Sequence, residues 1–263
     1  MRGAARVTRR PPPLPWLEPG QPFPDPAQAW GPQAPAPGLL AAGGTLDTET
    51  LRQAYSRGIF PWFSQGQPIL WWSTDPRMVL HTAEFRLHRS LRKALQHFIS
   101  DPACELRVDD AFDTVIQACA DSPREGQAGT WIVPEMVEAY QSLHRAGLAH
   151  SIETWRQGQL VGGLYCVSIG RAVFGESMFS REPDSSKIAL AGLVALARAQ
   201  GVERIDCQQE TRHLASLGAR PVPRAEFLAG LPEALAARPL AWQFDSVYWR
   251  ELLHSSPTSS TDA

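Results

Sequence analysis

The sequence predicts a mixed α and β fold built around a strand–helix–strand unit between Leu160 and Gln208. Three observations carry this prediction. Leu160–Ile169 is rich in β-formers, and Gly170–Arg171 can turn the chain back into a second strand over Ala172–Gly175. Ile188, Leu190, Leu193, Val194, Leu196 and Ala197 recur at helical spacing, with Asp184, Ser185 and Ser186 as available N-caps and Gly201 as a stop. Val202–Cys207 then reads as a short closing strand. Open α/β sheets hold ligands in a crevice outside strand ends. Glu176 and Asp206, near strand ends on either side of the helix, therefore mark the expected site.

The other elements follow in chain order. Residues 1–20 are rich in arginine and then proline, the composition of a disordered extension. Residues 21–80 read as a small aromatic-rich domain, residues 81–253 as the main domain, and residues 254–263 as a polar, disordered tail. Within the small domain, Asp47 or Thr48 caps a short helix over Thr50–Arg57, stopped by Gly58. The stretch after it holds Phe60, Trp62, Phe63, Trp71 and Trp72. Most of these rings are expected to form an aromatic core. Trp62, between Pro61 and a polar turn, is the candidate for an exposed ring on which a nucleic-acid base stacks, an interaction worth about 1–3 kcal/mol.

Residues 86–98 have the pattern of an amphipathic helix, with Leu87, Leu91, Ala94, Leu95 and Phe98 on one face. Arg86, Arg89, Arg92 and Lys93 fall on the other, with no acid among them. A like-charged face is either simply solvated or suited to a phosphate backbone. A helix near Asp110–Ala120 and a polar loop over Asp121–Thr130 follow, then a helix from Pro134 to Gly147 that buries Met136, Val137, Tyr140 and Leu143. His150–Trp155 and Leu160 onward form a hairpin across the turn Arg156–Gln159. LGARPVPRAEFLAGLP supplies a last strand and a short helix.

Composition bounds the function. A chain of 263 residues can bury a sizeable core. A net charge of −2 excludes a generally basic nucleic-acid binder, so any such contact must come from a local patch. The four cysteines contain no C-x-x-C pair and read as free thiols in a reducing compartment. No secretory h-region follows the N-terminal arginines, and no apolar run reaches the roughly 20 residues of a membrane span. A soluble cytoplasmic protein without membrane contact is expected. No heptad or apolar stripe demands a partner, so a monomer is expected.

Strand alternation sets Asp206 and Gln208 on one face, turns Cys207 away, and lets Glu176 face the pair. Two carboxylates and an amide in a crevice of Leu164, Leu190, Leu193 and Ile205 would bind a cationic amine beside an apolar side chain. The blander alternative pairs Glu176 with Lys187 or an arginine and makes Asp206 a turn cap. No nucleophilic triad is apparent, His213 is isolated, and metal-ligand spacing is absent. GGLYCVSIG reads as strand rather than phosphate loop.

The set GIFPWF, WWSTDPR, EGQAGTWI, GLAHSIETW, LVGGLY, GESMFS, SSK-I-AL and IDCQQETRHLASLGA, in that order, strongly resembles the leucyl/phenylalanyl-tRNA–protein transferase family over about Leu39 to Leu228. The resemblance implies a small N-terminal domain and a larger α+β domain with the acyltransferase fold of the N-acetyltransferase superfamily. It implies transfer of leucine, phenylalanine or less readily methionine from aminoacyl-tRNA to proteins beginning with arginine or lysine, marking them for degradation. No cofactor is implied. Residue by residue, Asp206 and Gln208 match the proposed catalytic pair and Glu176 an essential site acid. Trp62 and Trp131 match the pair that holds the terminal adenosine, and the helix around Arg89 the tRNA-binding region. Leu164, Leu190 and Ile205 match pocket positions, whereas Leu193 and Ala197 stand where relatives can carry rings, which suggests a roomier pocket.

The chemistry agrees with that resemblance. An aminoacyl ester is already activated, and an α-amine with a free pKa of about 7.7–8.0 is already neutral in substantial part near pH 7.5, so no strong base is required. Positioning can supply roughly 7–11 kcal/mol. Gln208 is expected to orient the amine, Asp206 to polarise Gln208 or relay the proton, and Glu176 to fix a cationic group. Two other readings share the fold or the surface: an acyl-CoA-dependent N-acyltransferase, and a non-catalytic tRNA- or peptide-binding module. Against the former, Ser-Arg-Glu-Pro-Asp-Ser-Ser precedes the central helix where a pyrophosphate needs a glycine-rich turn.

Overall fold

The computed structural model describes residues 13–122 and 132–253. Two sheets organise the chain. The smaller contains β1 (Trp16–Leu17), β2 (Leu39–Gly43), β3 (Phe60–Pro61) and β4 (Leu70–Trp72), in the order β1-β2-β4-β3. At Trp16–Leu17, β1 corrects the expectation of disorder, a reading whose first twelve residues lie outside the described ones. Trp16 and Leu17 pair in parallel with Ala42 and Gly43, and Leu17 is buried, so apolar contact outweighs the proline-rich composition there. Trp71 fills the centre of this domain, its Nε1 donating to the Gly43 carbonyl at 2.8 Å and its ring meeting Phe23 edge-on. Helix α1 (Thr48–Ser56) starts at Asp47, whose carboxylate accepts from the Thr50 amide at 2.9 Å. It stops at Gly58, which has φ +68° and room for no Cβ, since Leu228 would lie 2.5 Å from one.

The larger sheet begins at β5 (Arg77–His81). The passage between sheets thus lies between Trp72 and Arg77, ahead of the division expected after residue 80. Then follow α2 (Arg89–Ser100), β6 (Cys104–Val108), α3 (Phe112–Asp121), α4 (Pro134–Arg145), β7 (Ala149–Arg156), β8 (Gln159–Ile169) and β9 (Ala172–Ser180). The chain continues with α5 (Ser185–Ala199), β10 (Arg204–Gln208), α6 (Arg212–Ser216), β11 (Arg220–Val222), α7 (Arg224–Ala229), α8 (Leu231–Ala236) and α9 (Arg250–Leu253). Strand order is β11-β5-β10-β9-β8-β7-β6. β9 and β10 are its parallel pair, joined by α5 as a crossover; the other neighbours run antiparallel.

Alternation along β8 feeds two cores. Tyr165 and Val167 face α3, α4 and the small domain, whereas Leu164 and Cys166 face α5 and α2. α5 is buried on nearly every side, which explains its almost uniformly apolar sequence. Of its three candidate caps, Asp184 takes the N-cap position at φ +62° without capping and instead binds Lys187 at 2.7 Å. Ser185 Oγ donates to the Val161 carbonyl at 2.9 Å. None of the four cysteines is joined in a disulfide. Among the described residues no helix is long and apolar enough to cross a membrane.

Candidate active site

The predicted strand Ala172–Gly175 runs on to Ser180, so Glu176 lies within β9 rather than after it. Tyr165 opposes Ser177 and Cys166 opposes Gly175, which leaves Glu176 as the extra residue of a bulge. β10 is bulged as well. Asp206 opposes Val79 and Gln208 opposes Met78, leaving Cys207 extra. Pairing between β9 and β10 ends at Phe174 and Asp206, just where these bulges occur. Bulges re-aim side chains and end pairing. Here they open a cavity of about 800 Å³ between the two parallel strands.

Leu164, Leu190, Leu193 and Ile205 all line that cavity, with Met178 beside them. Glu176, Gln208 and Trp62 line it too, so seven sequence-predicted residues meet in one place. Ala197 is fully buried and is not part of the wall.

One expectation is corrected. Simple alternation puts Asp206 and Gln208 on the same face, with Cys207 turned away. In the structure Ile205 and Cys207 line the cavity and Asp206 turns into the core. The extra residue at Cys207 resets the two-residue period and returns Gln208 to the cavity side. Gln208 has φ +53°, a left-handed conformation costly for a side chain of this kind. Two bonds hold it: its amide donates to Asp206 Oδ1 at 2.9 Å, and Thr74 Oγ1 donates to its carbonyl at 2.9 Å.

Asp206, 2% exposed, is matched by the fully buried Arg77. The guanidinium donates through Nε to Oδ1 at 2.8 Å and through Nη2 to Oδ2 at 2.6 Å. Removing one partner of such a buried pair costs about 3–5 kcal/mol, because the other charge is left unpaired. Sequence reading passed over Arg77, although a charge directly before the apolar run Met78-Val79-Leu80 was a visible signal.

Glu176 is half-buried and receives three kinds of contact. Gln208 Nε2 donates to Oε1 at 3.3 Å and Tyr140 Oη donates to Oε2 at 3.2 Å, while Tyr55 bonds to Tyr140 and reaches the same carboxyl. Burial pushes the Glu176 carboxyl up to about 8. The tyrosine hydrogen bonds and Arg77 oppose that rise, and the Asp206 charge adds to it. Burial also keeps both phenols far above their ordinary range, so they remain donors. Lys187 is occupied by Asp184 and is not the partner of Glu176. The two tyrosines come from α1 and α4; their helical spacing marked Tyr140 as core and gave no sign of the acid it meets.

His213, isolated in sequence, joins the cavity wall through α6. Burial, together with the charge of Lys187, lowers its pKa and favours the neutral ring. Cys207 is pushed up to about 12 by burial, which keeps it an unreactive thiol. Trp62, half-buried, reaches the cavity from the small domain; its ring lies 5.2 Å from Trp72, whose Nε1 donates to the Trp62 carbonyl. Trp131 lies outside the described residues.

The cationic residues lie elsewhere. Arg86, Arg89 and Lys93 are exposed, while Arg92 is half-buried and donates from Nη1 to the Leu253 carbonyl at 3.3 Å. None of the four lines the cavity. Leu91, Leu95 and Phe98 form the buried face of α2, as expected. Among the described residues no cluster of three or more His, Cys, Asp or Glu side chains could hold a metal ion.

Comparison with known proteins places the chain as a whole. The model of the leucyl/phenylalanyl-tRNA protein transferase matches residues 79–232, and that of its N-terminal domain matches residues 44–75. A leucyl/phenylalanyl-tRNA–protein transferase of Polaromonas sp. is 63% identical, over 92% of this chain and 95% of its own. One from Albidiferax ferrireducens is 61% identical, over 94% and 97%, and one from Leptothrix cholodnii 58%, over 93% and 97%. Among solved structures, FemX matches with a TM-score of 0.43 and 11% identity, over 67% of this chain and 66% of that one. Relatives this similar along nearly their whole length leave one assignment: the chain belongs to the leucyl/phenylalanyl-tRNA–protein transferase family.

Proposed function

We infer that this protein is an aminoacyltransferase that moves leucine or phenylalanine, and less readily methionine, from aminoacyl-tRNA to the N-terminal α-amine of a protein. Its acceptors begin with arginine or lysine, and the product is an N-terminus that marks the protein for degradation in the cytoplasm. The enzyme acts as a monomer and without a cofactor. The observation that carries this reading is the meeting of Glu176 and Gln208 beside an apolar hole lined by Leu164, Leu190, Leu193 and Ile205.

In this reading the hole takes the side chain of the esterified amino acid. Trp62, with Trp131, stacks on the terminal adenosine, and the cations of α2, Arg86, Arg89, Arg92 and Lys93, meet tRNA phosphates. The acceptor nitrogen attacks the ester carbonyl. A C–N bond forms, the bond from that carbon to the ribose oxygen breaks, and the proton lost by nitrogen ends on that oxygen. Glu176, held near 8, is matched to an α-amine of about 7.7–8.0, so it can take a proton from the incoming ammonium at little cost. Gln208 aims the resulting amine. Asp206 is assigned a holding part rather than a proton relay, because its carboxylate is already engaged by Arg77 and the Gln208 amide.

The turn before α5 favours this reading over an acyl-CoA enzyme: it carries Glu182, paired with Arg156, and Asp184, paired with Lys187. The test is a transfer assay with leucyl-tRNA and a peptide that begins with arginine. Transfer without acetyl-CoA is expected; a requirement for acetyl-CoA, or no transfer, overturns the reading.

A further inference from the structure

Arg77 lies between the two spans matched by the family models and touches residues from both. Its Nη1 donates to the Gly58 carbonyl at 3.1 Å, on the small-domain side. Its Cζ lies over the rings of both Phe60 and Phe227, 4.8 Å from each centroid. The remaining donors grip both oxygens of Asp206. With Oδ1 so fixed, Asp206 holds the Gln208 amide and thereby the left-handed backbone that turns the carboxamide toward Glu176. Each link is a named hydrogen bond, and the chain of links runs from the small domain to the cavity wall.

We propose that Arg77 is a positioning residue for aminoacyl transfer, setting the direction of the Gln208 carboxamide through Asp206. The proposal rests on the transferase reading above. A guanidinium is needed because it alone combines a planar fork for two carboxylate oxygens, a third donor for Gly58 and a delocalised cation that lies over the two rings. Lysine keeps the charge but offers a single nitrogen and no plane. A lost aim slows the chemical step while leaving the substrate sites intact.

The experiment compares wild-type protein with Arg77→Lys and with Phe227→Leu, which removes one ring from the guanidinium and lies outside the cavity wall. For Arg77→Lys, kcat is expected to fall at least about 10-fold, with KM for leucyl-tRNA and for the acceptor peptide unchanged within about twofold. Phe227→Leu should show the same split to a smaller degree, and it keeps the test open if the lysine variant does not fold. Hydrogen exchange supplies a readout independent of transfer. The Gln208 amide should exchange faster in both variants, while that of Ile205 in the same strand keeps its protection. Failure of wild-type transfer would count against the function alone, because exchange at Gln208 still judges Arg77. Unchanged exchange at Gln208, or a variant that loses thermal stability with normal kcat, overturns the positioning role.

Discussion

Gln208 donates from Nε2 to Glu176 Oε1 over 3.3 Å, across a gap where β9 and β10 no longer pair. Backbone bonding between these strands ends at Phe174 and Asp206, and one bulge on each strand turns the two side chains toward the opening. The polar pair therefore exists because the sheet comes apart there. An apolar wall from α5 and β8 completes the space, so an amine and a greasy side chain can be held side by side.

Gln208→Ala removes the carboxamide and leaves the cavity otherwise intact. kcat for leucine transfer should fall about 100- to 1,000-fold, the usual effect of losing one preorganised donor, with KM for leucyl-tRNA little changed. Steady-state kinetics at saturating acceptor checks this; near-normal kcat would remove Gln208 from the chemistry.

Asp206→Asn keeps the shape of the side chain but leaves the Arg77 charge buried and unmatched. Unfolding stability in urea should drop by about 3–5 kcal/mol. A loss under about 1 kcal/mol, the range of an exposed pair, would mean that the ion pair carries little weight.

Glu176 makes the protein's stability depend on pH. Its carboxyl ionises near 8 in the folded chain and near 4.5 in the unfolded one. Between those values the folded chain binds more protons, so the stabilisation present below pH 4.5 is lost as pH rises toward 8. Glu176→Gln lacks this slope. Its melting temperature relative to wild type should climb across the same window and level off above it; a difference constant with pH would contradict the raised pKa.

Leu193 faces the hole from α5. Leu193→Phe should shrink it and lower phenylalanine transfer at least about 10-fold relative to leucine, since pocket discrimination runs near 1–3 kcal/mol per methylene. Competition between the two charged tRNAs measures the ratio directly. An unaltered ratio would place the transferred side chain elsewhere.

The cations of α2 differ in freedom. Replacing exposed Arg86, Arg89 and Lys93 by Gln should flatten the salt dependence of tRNA binding by about 0.7–0.9 per charge in the logarithmic slope. Arg92→Gln should change it least, because its guanidinium already bonds to Leu253. A slope unaltered in the triple variant would reduce the helix to a solvated surface.

The apolar parts of the site were legible in sequence because their periodicity reports one element at a time. Leu190 and Leu193 repeat with the turn of α5, and Leu164 and Ile205 belong to β-rich runs, so each wall could be read separately. Glu176 and Gln208 stood out as polar residues beside such runs. Trp16 and Leu17 did not, since two residues in a proline-rich stretch carry no period, and their pairing with β2 is a long-range event.

The sequence by itself determined the family, the central strand–helix–strand unit and the side chains of the apolar wall, and it singled out Glu176, Asp206 and Gln208 as polar candidates, because these depend on local spacing and residue chemistry. Only the tertiary structure decided how the polar groups divide their work. A bulge shifts strand register by one residue and leaves no mark in a hydrophobic pattern. It returned Gln208 to the cavity beside Cys207, while Asp206, on the opposite face of the strand, turned inward to Arg77. The high pKa of Glu176 likewise arises from burial among groups contributed by four separate stretches of chain, a property that no single stretch contains.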